Sequence, residues 1–147
     1  HRGHRYISVR ELDRAIEDLQ QASDLVRGQP DQVEPDGLPN ARGIPTSTLQ
    51  FNIWYHLGLA HYLNGDFELA RAAYIELMAV SNNNDAVIAA SYWLYMTLMR
   101  LGRQQEAGEV LVPINSELDI IENGAYRDLL LLFKGISKCL CSLVDFP

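Results

Sequence analysis

The sequence predicts an all-α fold built from helical pairs laid side by side. Three observations predict it. Apolar residues recur at steps of three and four over most of the chain. Glycine, asparagine and proline punctuate those stretches where helices end. Two stretches also share one skeleton, 37 residues apart: Trp54 to Tyr62 with Gly65, Ala70 and Tyr74, then Leu94-Tyr95 with Gly102, Ala107 and Leu111. Self-similarity at such a spacing implies a stacked helical array, where each pair covers the next, and not a globule closed around one pocket.

The elements follow in chain order. Residues 11–27 place Leu12, Ala15, Ile16, Leu19, Ala22 and Val26 on one stripe, and Gly28 is a stop signal. Residues 28–50 hold four of the six prolines, together with Gly28, Gly37 and Gly43, and cannot form a regular helix. A helix is expected to resume after Ser47, with Ser47-Thr48-Leu49-Gln50 as a capping box. It carries Phe51, Trp54, Tyr55, Leu57, Gly58, Ala60, His61 and Tyr62, and Asn64-Gly65 ends it. Asp66 is the expected cap of the next helix, which runs to about Val80. Ser81 to Asp85 reads as a polar turn with Asp85 as N-cap of a third long helix, about Ala86 to Leu101, stopped by Gly102. A shorter helix reaches about Val112 before Pro113. A last helix is expected from about Glu117 to Lys134, ended by Gly135, and the apolar tail from Ile136 to Pro147 is less patterned.

Composition narrows function. The 147 residues make one domain's worth of chain, and 48% hydrophobic residues argue for a folded core. A net charge of -7 is a poor match to a phosphate backbone, so no nucleic-acid partner is expected. No window of 18 apolar residues exists, so no membrane insertion is expected, and no signal peptide is visible. The chain begins His1-Arg2 without a methionine and reads as a fragment of a longer protein, which leaves the compartment open. Cys139 and Cys141 are too close for an unstrained bridge in regular structure, and no other cysteine completes a framework or a zinc site.

The landmarks resemble the tetratricopeptide repeat, whose skeleton is Trp-x2-Leu-Gly-x2-Tyr followed by Gly, Ala, an aromatic residue and Ala. Trp54, Leu57, Gly58, Gly65, Ala70 and Tyr74 stand in that register, with His61 at the tyrosine position and Tyr62 beside it. Leu94, Gly102 and Ala107 hold register in a later unit, where Tyr95 replaces the glycine and Ser91 the tryptophan. Gly3, Tyr6, Ala15, Leu19 and Ala22 match a truncated first unit. Ala15, Ala70 and Ala107 are then equivalent at spacings of 55 and 37, and the larger spacing contains the proline-rich insertion. Through 34–40 and 43–48 the chain is also similar to bacterial tetratricopeptide proteins of undefined role. The resemblance implies a right-handed α–α superhelix of about three helical hairpins with a C-terminal capping helix. It divides the single domain into a truncated unit (1–27), the insertion (28–50), units 51–84 and 85–112, and a capping helix with tail (113–147).

In that family the first helix of each pair lines a concave groove that holds a peptide. By register the resemblance assigns the groove to Asn52, Tyr55, Leu59, Tyr62 and Leu63, then Ala89, Tyr92, Met96, Met99 and Arg100, with His4 and Ile7 extending the row. Tyrosine and methionine suit adaptable peptide contacts, and Arg100 is a carboxylate partner in waiting. Simple packing between helices explains Tyr55, Tyr92 and Met96 equally well. The repeated Lys/Arg clamp that chaperone adaptors of this family use for an acidic peptide terminus is missing. The segment from Gly37 to Pro45 offers either a lid over the groove mouth or a tolerated surface excursion.

Catalytic readings find little. His1 and His4 are three apart on a helix face without a placed carboxylate, and His56 and His61 point in different directions. No phosphate loop, nucleophile elbow or zinc-protease pattern occurs. Glu117, Asp119 and Glu122 read as solvated helix faces. The expectation is a non-catalytic module without cofactor or metal that binds a protein or peptide partner. The alternatives are a structural or self-associating segment, or the regulatory arm of a larger enzyme.

Overall fold

The computed structural model describes residues 1–34, 40 and 42–144, with the side chains of 136–144 outside the description. Those residues form seven α-helices: α1 (Arg2–Ser8), α2 (Leu12–Val26), α3 (Leu49–Asn64), α4 (Phe67–Val80), α5 (Asn84–Arg100), α6 (Gln104–Leu111) and α7 (Gly124–Val144). The described residues contain no strand beyond an isolated antiparallel bridge between Val33 and Thr48. The expectation of an all-α chain holds.

One turn geometry joins three of the helix pairs. Arg10, Gly65 and Gly102 adopt φ of 61°, 87° and 72°. The residue after each, Glu11, Asp66 or Arg103, sits near φ −87°, −84° and −88°. Its N–H reaches back to the carbonyl of Tyr6, His61 or Leu98, satisfying an orphan acceptor at the end of the preceding helix. Glycine adopts this left-handed backbone without strain, whereas a Cβ at Arg10 costs about 1–2 kcal/mol. Asp66 therefore does not cap α4 through its side chain, as the sequence reading expects. Its carboxylate instead accepts from Asn64 Nδ2 at 2.8 Å.

Each helix packs on its successor, and the odd helices also pack in a row, α1 on α3, α3 on α5 and α5 on α7. Small residues let the pairs approach. A Cβ on Gly3 would lie 2.7 Å from Leu19 Cγ, and one on Gly58 would lie 2.7 Å from Tyr74 Cζ. Ala15, Ala70 and Ala107 are fully buried at matched places on α2, α4 and α6. Tyr74, Leu77, Ile88, Leu111 and Leu130 complete the larger core, each aliphatic side chain contributing about 1.5–3 kcal/mol on burial. The even helices α4 and α6 are linked by ion pairs, Arg71–Glu106 at 3.0 Å and Arg103–Glu68 at 2.6 Å.

The helix starts differ from expectation in three places. Thr48, and not Ser47, caps α3, accepting the Phe51 N–H at 3.2 Å, and Gln50 turns away to Gln29 O at 2.8 Å. Asn83 caps α5 by accepting from Ala86 N at 2.9 Å. Asp85 is not a cap but lies buried in the first turn, where its carboxylate accepts the N–H groups of Ile121, Glu122 and Asn123 at 2.9, 2.7 and 2.8 Å. That carboxylate ties down a segment expected to be helical. Glu117, Asp119 and Glu122 therefore precede α7 and are not on a solvated helix face. The helix starts at Gly124 and runs through Gly135 into the supposed tail; residues 145–147 lie outside the description.

Candidate ligand-binding face

The odd helices bring an aromatic cluster together around Trp93, which the sequence reading passes over. Tyr55 on α3 accepts the Trp93 Nε1–H at 3.0 Å, and its hydroxyl lies 3.4 Å from that of Tyr126 on α7. Tyr62 and Tyr92 meet the indole edge-on at 5.4 and 5.5 Å, and Tyr74 stacks beneath it at 6.3 Å. Tyr92 in turn stacks on Tyr126 at 4.4 Å and 8°. Burial, reinforced by Tyr126, raises the Tyr55 phenol well above its ordinary range, and burial raises Tyr92 and Tyr74 as well. None of these phenols acts as a base at neutral pH; the Tyr55 hydroxyl is hydrogen-bonded, whereas the buried Tyr74 hydroxyl has no partner among the described residues.

Three of the expected groove residues, Tyr55, Tyr62 and Tyr92, thus converge on one indole. Asn52 points elsewhere and donates to Glu34 Oε2 at 2.5 Å. Leu59 and Met96 are half-buried, Met96 against the core. Met99 is exposed, and Arg100 lays its guanidinium over the Phe67 ring at 4.9 Å, where a cation meets the negative face of an arene.

The N-terminal ends of α3, α5 and α7 meet the insertion. Arg42 forms a two-pronged pair with Asp119 at 2.6 and 2.9 Å, which holds that carboxyl below its usual range. Thr46 donates to Glu122 Oε2, and its carbonyl accepts from Asn83 Nδ2 at 3.1 Å. Asp31 accepts from Thr48 Oγ1 at 2.6 Å and from Gln50 N at 3.0 Å. The described part of the insertion is therefore anchored to the row of odd helices. Of the expected lid, residues 37–39 and 41 lie outside the description.

Below this anchor opens a cavity of about 340 Å³ whose lining includes Thr46, Asn52, Tyr55, His56, Glu122 and Tyr126. A second cavity of about 340 Å³ adjoins it, sharing Asn52 and His56 and adding His1, His4 and Glu34. His56 Nδ1 lies 2.7 Å from Asn52 O. A carbonyl only accepts, so this bond needs the Nδ1–H tautomer. Burial, with His4 4.3 Å away ring to ring, depresses the His56 pKa below its ordinary value. Among the described residues no three His, Cys, Asp or Glu side chains are grouped to hold a metal ion. No helix among them is long and apolar enough to cross a membrane.

Sequence reasoning missed Trp93 and Tyr126 and read Glu122 as part of a solvated helix face. One signal for Tyr126 was present, since a further step of 37 from the expected groove residue Ala89 lands on it. Glu122 gave no local signal, because its role comes from a threonine 76 residues away. No family model matches the chain, and no curated protein or solved structure matches it significantly.

Proposed function

We propose that the chain is a tetratricopeptide-like array that holds a peptide or protein segment, without catalysis, on the face formed by its odd helices. The observation that carries this reading is the aromatic row from Tyr62 through Trp93, Tyr55 and Tyr92 to Tyr126, contributed by three helices and bordered by cavities. Rigid, amphipathic rings supply contact area at low entropic cost, which is what a peptide-binding face needs. Recurrence supports the array. The left-handed turn falls at positions 10, 65 and 102, the close approaches at Gly3 and Gly58, and the buried alanines at 15, 70 and 107, all in one register.

The test is selection of 12-residue peptides from a random display library on the full chain, followed by titration of the best peptide. Tyr92→Ala and Arg100→Ala should each weaken binding about tenfold or more with helical content unchanged, whereas Glu76→Ala on exposed α4 should not. Equal affinity for all three variants would remove the odd-helix face as the binding surface.

A further inference from the structure

Resting on that reading, we infer that the cavity between α3, α7 and the insertion is a subsite for one basic side chain, arginine or lysine, of the bound segment. Its volume of about 340 Å³ lies at the low end of ligand pockets, roughly 300–1,000 Å³, and suits a single side chain. The lining offers π-faces and acceptors together. Tyr55 and Tyr126 flank it, Tyr126 backed by the stacked Tyr92. The Glu122 carboxylate lies at one side with one oxygen engaged by Thr46. Asn52 also lines the cavity, its amide nitrogen being spent on Glu34.

Among the described residues no lysine or arginine lines this cavity, and the nearby Arg42 is committed to Asp119. His56 is held neutral by its burial. The fixed charge facing an occupant is thus that of Glu122, with Glu34 behind Asn52. The amino end of α7 projects a partial positive charge here, which the Asp85 carboxylate, bound to the N–H groups of 121–123 just before it, offsets. Glu122 is exposed, so the cavity stays open to solvent, and a cation held between its carboxylate and the tyrosine rings gains modestly from both. An apolar side chain would offer no donor to the second oxygen of Glu122, the first being engaged by Thr46, and an acidic one would be repelled.

The probes are acetyl-arginine amide and acetyl-lysine amide, titrated into the isotopically labelled chain and followed at the backbone amides of Asn123, Ala125 and Tyr126. Acetyl-norleucine amide and acetyl-glutamate amide are the controls. The basic amides should shift those signals saturably with millimolar affinity, and the controls should not. Glu122→Gln should weaken the basic amides about tenfold, and Tyr126→Leu should do so while retaining the carboxylate. Equal binding of norleucine amide, preference for glutamate amide, or no saturable shift with either basic amide would each overturn the assignment. Library peptides that bind through Tyr92 and Arg100 without enriching any basic position would overturn this subsite and leave the binding face standing. Failure of the Tyr92 and Arg100 variants to weaken any peptide would remove the face itself.

Discussion

The pairs α3–α4 and α5–α6 share a turn but divide bulk between their helices in opposite ways. In α3–α4 the glycine is on the first helix and the ring on the second: Gly58 leaves room that the buried Tyr74 fills. Thirty-seven residues on, the matched positions hold Tyr95 and Leu111. There the ring belongs to the first helix and stacks on Phe133 of α7 at 4.9 Å. The total bulk is kept while its direction is reversed. A helical pair needs a filled crossing, and which partner fills it decides which neighbour is recruited next. Tyr74 turns inward under Trp93, and Tyr95 turns onward to α7.

The starts of α3 and α5 differ in the same manner, and the largest expected effect lies there. Thr48 and Asp85 occupy matched positions. Thr48 caps its own helix and donates to Asp31, while Asp85 serves a remote segment through three N–H groups. Asp85→Ala should cost about 3 kcal/mol, because three partly buried donors lose a charged acceptor that is itself buried, whereas Thr48→Ala should cost about 1 kcal/mol. Denaturant unfolding gives both values, and hydrogen exchange at 121–123 should accelerate in the first variant alone. Equal costs would erase the distinction.

The reversed crossing is tested next. Gly58→Ala should destabilise by about 2 kcal/mol, since the new methyl lands against the Tyr74 ring. In a Tyr74→Leu background the same change should cost at least about 1 kcal/mol less, as a double-mutant cycle would show. An identical cost in both backgrounds would mean that the ring does not set the spacing.

The shared turn predicts opposite signs at its three positions. Gly102→Ala should destabilise by about 1 kcal/mol, and Arg10→Gly should stabilise by a few tenths to about 1 kcal/mol, because only glycine adopts that backbone freely. Thermal unfolding of the two variants checks the pair, and matching signs would refute the common geometry.

The smallest effect separates α3 from α5 by pH. His56 and His61 on α3 are both pushed below the ordinary 6.5, chiefly by burial, with Asp66 opposing this at His61. The matched residues on α5 are Trp93 and Leu98, which do not titrate. Well above pH 6.5 both histidines are neutral in the folded and unfolded chain alike. Below it the unfolded chain takes up protons that the folded chain resists, so stability falls as pH falls, by up to about 1 kcal/mol per pH unit per histidine. Between pH 6.5 and roughly 5.5, before ordinary carboxylates titrate, His56→Gln and His61→Leu should flatten that slope. An unchanged slope would place its origin elsewhere.

Much of this was legible in the chain. The stripe on α2 and the stops at Gly65 and Gly102 follow from three- and four-residue periodicity and from glycine's tolerance of positive φ, and the small Ala70 and Ala107 from the 37-residue recurrence. The periodicity and the glycine tolerance are short-range properties written into neighbouring residues. Of the proposed binding face, Tyr55, Tyr62 and Tyr92 were reached through the register that the tetratricopeptide resemblance implies. The start of α7 was misread because its N–H groups are satisfied by a carboxylate 36 to 38 residues away, for which no local pattern exists. Arg10 gave no sign of its left-handed backbone, since arginine does not prefer it and only the docking of α1 on α2 requires it.

By itself, then, the sequence determined the helical class, the positions of the hairpin turns and the small residues at their crossings, because helix propensity and turn chemistry act over a few residues. Tertiary structure alone decided that Trp93 would be the hub of the aromatic row. It alone set Glu122 and Tyr126 opposite Tyr55 around one cavity, and fastened the insertion to three helix ends. Those arrangements depend on which buried donors and rings find partners across the packed core, and residues dozens of positions apart carry no shared local signature of that choice.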